Sequence, residues 1–287
     1  MGILLGERRG YDLGTRRGGG GLGAKLLIAL AVAGFSLFTY FSNSEYNPIT
    51  EKKQHLDMSP RQEIALGLQS APQMAGKFGG LSDDLNAREQ VKSIGSEIVS
   101  KSSASKTPYQ YDFNLLADQK TVNAFALPGG PIFITEGLYR KLKTRGELAG
   151  VLGHEIGHVA ARHSAQHIAK QKLTQGLTGA AVIAAYDPEN PYNRGTAAMA
   201  ALIGSVVNMK FGRGDELESD RLGVRFLSEA GYDPRGMIKV MEVLREASKS
   251  RTPEFFSTHP NPENRIEQIN KAIRERYPNG VPKGMIP

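Results

Sequence analysis

The segment Val151-Leu152-Gly153-His154-Glu155-Ile156-Gly157-His158-Val159 constrains the chain more than any other. Two histidines four residues apart share one face of a helix, close enough for both rings to reach one metal ion. Glu155 points about 100° away around the helix. It can therefore address an attacking water without being a ligand. At the same angular step Leu148, Leu152, Ile156 and Val159 form an apolar stripe, and His154 and His158 point well away from its centre. The stripe predicts a helix seated in a core with its imidazoles facing a cleft. Nitrogen donors that hold an ion, beside a carboxylate that takes a proton from water, are what hydrolysis at a zinc ion requires.

A catalytic zinc usually takes three protein ligands and keeps one position open. In the HExxHxxGxxH scheme the third is a histidine six residues after the second. Here that position is Ser164, and Ala161 stands where the glycine belongs, so the scheme fails. The other source is a glutamate from a separate helix. Downstream, Asp215-Glu216-Leu217-Glu218-Ser219-Asp220-Arg221 opens a helical pattern. Glu216 and Asp220 share a face, and Glu218 points to the opposite side. The pair fits a ligand, Glu216, and a supporting carboxylate, Asp220, that fixes the tautomer of a ligand histidine. The competing reading is a solvated acidic helix start, which favours carboxylates in any case.

HEIGHVAARH followed by ELESDR resembles the CAAX prenyl endopeptidase and HtpX-like zinc metallopeptidase family, glutamate-zincins with an HExxH…ExxxD pattern, in its periplasmic single-anchor form. Two further segments agree. Asn123-Ala124-Phe125-Ala126-Leu127-Pro128-Gly129-Gly130 is similar to the family's NAFxxPGG strand and turn, and Ser257-Thr258-His259-Pro260 with Arg265 is similar to its late HPxxxxR segment. The resemblance runs from residue 58 to 273. It implies an α+β, mainly helical fold, a zincin-like metalloprotease domain with a small antiparallel sheet beside the HExxH helix. It also implies one zinc ion per chain on His154, His158 and Glu216. Asn123, Ala124, Phe125, Gly129 and Gly130 would form an edge that receives an extended substrate by strand addition; a plain structural hairpin is the alternative. His259 would reach the cleft, either donating to the oxyanion of the tetrahedral intermediate or occupying the open zinc position as a resting latch. Arg265 would brace Glu216 or hold substrate.

Composition narrows the rest. There are no cysteines, which excludes disulfides, a thiol nucleophile and zinc–thiolate sites. Of the formal charge of +7, residues 1–25 supply +3, with Arg8, Arg9, Arg16, Arg17 and Lys25 against Glu7 and Asp12. The remaining +4 is spread over 262 residues. No nucleic-acid stripe or motif results.

Residues 1–21, rich in arginine and glycine, read as disordered. Residues 22–41 are apolar except for Lys25, Ser36 and Thr39 and end in Phe38, Tyr40 and Phe41, long enough to span a bilayer. A cleaved signal peptide competes with a retained anchor. The aromatic end favours the anchor, and Ser42-Asn43-Ser44 is a poor cleavage exit. Basic residues before the span place the catalytic domain on the exoplasmic or periplasmic side. A twin-arginine reading of Arg16-Arg17 is weakened by Gly18 and Gly19.

Residues 42–57 read as a polar linker, 58–277 as the peptidase domain and 278–287 as a disordered tail. Ser59-Pro60-Arg61-Gln62 is a capping box opening a helix over 60–69, and a second helix fits 85–102. Strands are predicted at 109–116, 121–126 and 131–134. Two apolar runs, 173–186 and 196–209, are too short to span a bilayer and read as a helical hairpin on the domain or at the membrane surface. Helices from Asp233-Pro234 to about 248 and over 264–276 flank a loop at 250–263. His163 reads as a buried histidine with a local partner, His55 and His167 as surface residues.

The expected function is a membrane-anchored zinc metalloendopeptidase with Glu155 as general base. Its polypeptide substrates, as the resemblance implies, are unfolded or misassembled envelope and membrane proteins. Prenylated substrates are disfavoured because the multi-span membrane chamber of that branch is missing. The rivals are a chaperone-like binding protein with a structural zinc site and a chance HExxH in a helical scaffold.

Overall fold

The computed structural model describes residues 22–185, 206, 209–249, 252–260 and 264–287. The basic N-terminus and nearly all of the second apolar run lie outside them. Helix α1 (Leu22–Ser42) leads at once into a hairpin of β1 (Ser44–Asn47) and β2 (Lys52–His55), paired antiparallel with Asn47 opposite Lys52. This corrects the linker expected at 42–57. The hairpin escapes an apolar-pattern reading because amides fill its buried face. Asn47 Nδ2 donates to the Ala160 carbonyl and Gln54 Nε2 to the Ala161 carbonyl, each at 2.9 Å.

Helix α2 (Pro60–Lys77) begins with the expected capping box at Ser59 and Gln62. It runs eight residues beyond the expected end, past Pro72. Pro72 lies on the exposed side of the helix. Helix α3 (Leu85–Lys101), capped by Asp84, precedes a three-stranded sheet of β3 (Asp112–Leu116), β4 (Ala124–Ala126) and β5 (Pro131–Thr135) in the order β3-β5-β4. The β4–β5 hairpin is antiparallel as expected, but β3 joins β5 in parallel. β5 takes the centre because it is an unbroken apolar run, buried at every residue, and such a strand needs neighbours on both sides.

A short helix, α4 (Glu136–Tyr139), leads to α5 (Arg145–Ala160), which carries HEIGH. From Gly146 to Ala160 every residue of α5 is buried, so the histidine face looks into protein rather than into an open cleft. Arg162, at φ 56°, turns the chain sharply into α6 (His163–Ala185). The expected helical hairpin has its first arm inside α6, which lies along α1 so closely that a Cβ on Gly176 would stand 2.2 Å from Ser36 Oγ. Helices α7 (Arg213–Ala230) and α8 (Gly236–Ala247) pack on α5. At Gly157 a Cβ would stand 2.8 Å from the Ser219 carbonyl oxygen, so only glycine lets α7 approach this near. The short α9 (Phe255–Thr258) and α10 (Arg265–Arg276) complete the α-helices among the described residues.

The tail is ordered, against expectation. Ile286 bridges to Tyr232, and the Pro287 carbonyl accepts from Gly146 N at 2.8 Å, satisfying a donor in the first turn of α5. The Gly146 amide and Tyr232 give this segment a docking site that its own composition does not announce.

Candidate metal centre

Four side chains converge at the junction of α5, α7 and the segment after α9. Donor atoms of His154, His158, Glu216 and His259 lie within 4.8 Å of one another, and all four residues are buried. The two Nε2 atoms of His154 and His158 are 3.1 Å apart. Glu216 Oε2 is 3.5 Å from His154 Nε2, and its Oε1 is 3.4 Å from His158 Nε2. The i, i+4 spacing on α5 and the first-turn position of Glu216 on α7 produce this convergence. Asp215 Oδ2 accepts from Gly212 N at 2.7 Å and fixes where that turn begins.

Asp220 stands where the sequence places it. Its Oδ1 is 2.9 Å from His154 Nδ1, which leaves His154 Nε2 for the cluster. Arg265, 1% exposed, donates to both oxygens of Asp220, from Nε at 2.7 Å and Nη2 at 2.9 Å. Its Nη1 lies 3.0 Å from Glu216 Oε2, an ion pair without hydrogen-bond alignment. Arg265 thus touches both Asp220 and Glu216. His259 Nδ1 is 3.0 Å from Glu216 Oε1, and its Nε2 lies 3.8 Å from Glu155 Oε1.

Phe211 and Phe255 cover the cluster. Phe211 stacks on His158 with ring centroids 4.0 Å apart, and Phe255 stacks on His259 at 4.4 Å. The Phe211 amide donates to the Thr258 carbonyl, and the Phe255 amide to the Val122 carbonyl beside β4. Neither aromatic is marked by any motif, so sequence reasoning had no signal for them.

The electrostatics are those of a dry, highly charged site. Burial pushes the Glu155 carboxyl up, against the pull of His259 and His154. Burial alone would also raise Glu216, but His259 and the hydrogen bonds from His154 and His158 hold it well below the ordinary carboxylate range. Asp220 is held down in the same way, chiefly by Arg265. Burial and Arg265 would lower His154, yet its bonds to Asp220 and Glu216 outweigh them and bring it up to about 9. Burial takes His158 well below its usual value. The two rings, 3.1 Å apart, are shifted in opposite directions, and their carboxylate surroundings suit a cation.

Both oxygens of Glu155 and Nε2 of His259 are buried without a hydrogen-bond partner. Unpaired polar atoms in a dry interior are costly, and here they border the shared space of the four donors. Two imidazoles, a carboxylate and these orphaned atoms fit a divalent metal ion.

The strand residues expected to receive substrate have their side chains packed inward. Asn123, Ala124 and Phe125 are buried. Gly129 and Gly130 have φ of +77° and +132°, and a Cβ on either would collide with backbone, at Ile64 Cα (2.4 Å) and the Gln110 carbonyl oxygen (2.3 Å). Both glycines are explained by the turn and its close packing. His163 is buried with a local partner as expected, whereas His167 is not a free surface residue: its Nε2 is 2.7 Å from Asp215 Oδ2.

Comparison with known proteins agrees with this geometry. Over 233 residues the chain is 30% identical to the beta-barrel assembly-enhancing protease of Escherichia coli (strain K12), covering 77% of this chain and 46% of that one. It is 28% identical over 253 residues to the mitochondrial metalloendopeptidase OMA1 of Schizosaccharomyces pombe, covering 87% of this chain and 72% of that protein. With the Arabidopsis thaliana protein of that name it shares 35% identity over 159 residues, 55% of this chain and 31% of the other. The chain spans about half the length of the bacterial relatives it matches. Residues 86–273 match Peptidase family M48. Because that match runs from α3 into α10 and includes every donor of the cluster, the chain belongs to peptidase family M48, a family of metal-dependent peptidases.

Proposed function

We propose that the chain is a membrane-anchored zinc metalloendopeptidase in which His154, His158 and Glu216 hold the ion and Glu155 is the general base. The observation that carries this reading is the Glu155 carboxylate, 0% exposed and without a partner on either oxygen, next to three metal donors. Two imidazoles and one carboxylate suit zinc among the common divalent ions. When bound, zinc supplies a charge that polarises a peptide carbonyl and acidifies water. Glu155 takes the proton from the attacking water and delivers it to the leaving amine, aided by a burial that already favours its protonated form. Asp220 and Arg265 keep His154 and Glu216 in register while charge develops. Glu155→Gln should keep the fold and one zinc per chain but cut peptide hydrolysis by about 100-fold or more. Comparable casein turnover by wild type and variant, each measured with and without chelator, rules the mechanism out.

His259 has two roles compatible with its place, an oxyanion donor through its free Nε2 or a fourth donor that closes the resting site. Lower turnover in His259→Ala supports the first, and equal or higher turnover supports the second.

Among the described residues α1 is the one helix long and apolar enough to cross a membrane. Its Leu27, Leu30, Phe35, Phe38 and Phe41 are exposed, a surface that suits lipid. The basic residues ahead of it favour an exoplasmic or periplasmic catalytic domain. The substrates we infer are unfolded or misassembled envelope proteins, in keeping with the printed name of the bacterial relative. Residues 123 and 127 bond to β5, so by alternation the backbone groups of Ala124 and Ala126 turn off the sheet edge, where an extended chain can pair. The α9 segment now lies over the start of that edge.

One observation favours a second reading. A fully buried set of four donors resembles a closed structural zinc site, as in a chaperone-like binding protein. Hydrolysis that is lost on chelation and restored by zinc separates the two.

A further inference from the structure

His158 turns Nε2 toward the cluster and Nδ1 toward His163, whose Nδ1 is 2.9 Å away. The other nitrogen of His163, Nε2, lies 3.3 Å from Glu218 Oε2, and Glu218 Oε1 is 2.6 Å from Lys52 Nζ in the hairpin behind the anchor. We propose that His163 is a positioning residue for the metal centre, an imidazole that fixes the tautomer and tilt of His158 and is itself held by Glu218 and Lys52. The proposal rests on His158 being a ligand through Nε2, as read above.

The proton bookkeeping admits one arrangement. A metal-binding Nε2 must be bare, so a neutral His158 carries its proton on Nδ1 and donates it to His163. His163 then accepts at Nδ1, carries its own proton on Nε2 and donates to Glu218. The reverse arrangement, with His163 donating, places the His158 proton on Nε2 and blocks the cluster. Ligand histidines commonly lean on a carboxylate or a carbonyl. Here His154 leans on the Asp220 carboxylate and His158 on a second imidazole, so the two ligands are supported unequally.

The backbone is shaped to make this contact. Helix α5 ends at Ala160, and Arg162 at φ 56° bends the chain so that the first residue of α6 folds back under His158. A non-glycine residue at positive φ is uncommon and needs support. Arg162 receives it from Glu63 Oε1 (2.8 Å to Nε), Glu45 Oε2 (2.6 Å to Nη1) and the Met58 carbonyl (3.0 Å to Nη2). His163 is 0% exposed; Phe211 closes one side, and Asp215 Oδ1 stands 4.0 Å from Nε2.

The test is zinc affinity of the full-length, detergent-solubilised chain by competition with a chromogenic chelator, with melting of the metal-free protein measured in parallel. His163→Leu should weaken zinc by about 10- to 100-fold. His163→Asn, whose Oδ1 can stand near the lost Nδ1 and accept from His158, should stay within a few-fold of wild type. The metal-free forms of the two variants should melt together. Wild-type affinity in His163→Leu, or equal loss in both variants, overturns the proposal. If His163→Leu does not fold, Glu218→Ala at the partly exposed end of the relay decides: several-fold weaker zinc supports the relay, and unchanged affinity overturns it. His158→Ala is the control for the underlying site, since full zinc binding there removes the ligand assignment itself.

Discussion

Arg265 carries a positive charge where there is no water to solvate it, and two carboxylates make that tolerable. Its guanidinium spans Asp220 and Glu216 from separate edges, a shape that a lysine ammonium cannot reproduce. Removing one partner of a buried ion pair leaves the other uncompensated, at a cost of about 3–5 kcal/mol. Arg265→Ala should therefore lower stability by about that much in urea unfolding, and Arg265→Lys should recover only part of it. Several residues of this centre were legible before any coordinates, because helix periodicity alone aligns His154 with His158 and Glu216 with Asp220. Glu218 was legible only in direction. It does point away from Glu216, but its target, His163, depends on a backbone turn at Arg162 that no local pattern announces.

Between elements, the ties that matter are polar and distant in sequence. Glu229 on α7 accepts from the Ser103 amide at 2.6 Å and from the Ser103 hydroxyl at 2.8 Å, and Arg225 donates to it at 3.1 Å. Burial alone would raise its pKa, yet these donors hold it below the ordinary carboxylate value of about 4.3. A depressed folded pKa means that the unfolded chain binds the proton more readily. This contribution is present above about pH 4.3 and fades as pH falls through the folded value. Glu229→Gln should cost about 1 kcal/mol at pH 7, and the gap between variant and wild type should narrow at pH 3 in the same urea measurement. Helices with caps, such as α2 and α3, were readable to within a residue at their starts. The parallel placement of β3 was not, because strand order follows from which strand is buried on both faces.

For the molecule as a whole, the β1–β2 hairpin joins α1 to the donor cluster. Its amides cap the carbonyl end of α5, Lys52 reaches Glu218, and Glu45 reaches Arg162. Polar composition made residues 42–57 read as a linker, since the buried strand positions of the hairpin are the amides Asn47 and Gln54. A chain begun at residue 44 should retain its melting temperature and zinc stoichiometry in the soluble domain. One begun at residue 58 should melt several degrees lower and bind zinc more weakly; equal melting of the two would show the hairpin to be a passive spacer.

The aromatic cover formed by Phe211 and Phe255 has a kinetic corollary. With every donor buried, exchange of an ion at the centre should depend on excursions of the α9 segment. The rate of metal stripping should then level off as chelator is raised, the plateau reporting the breathing frequency of the cover rather than the strength of the ion's bonds.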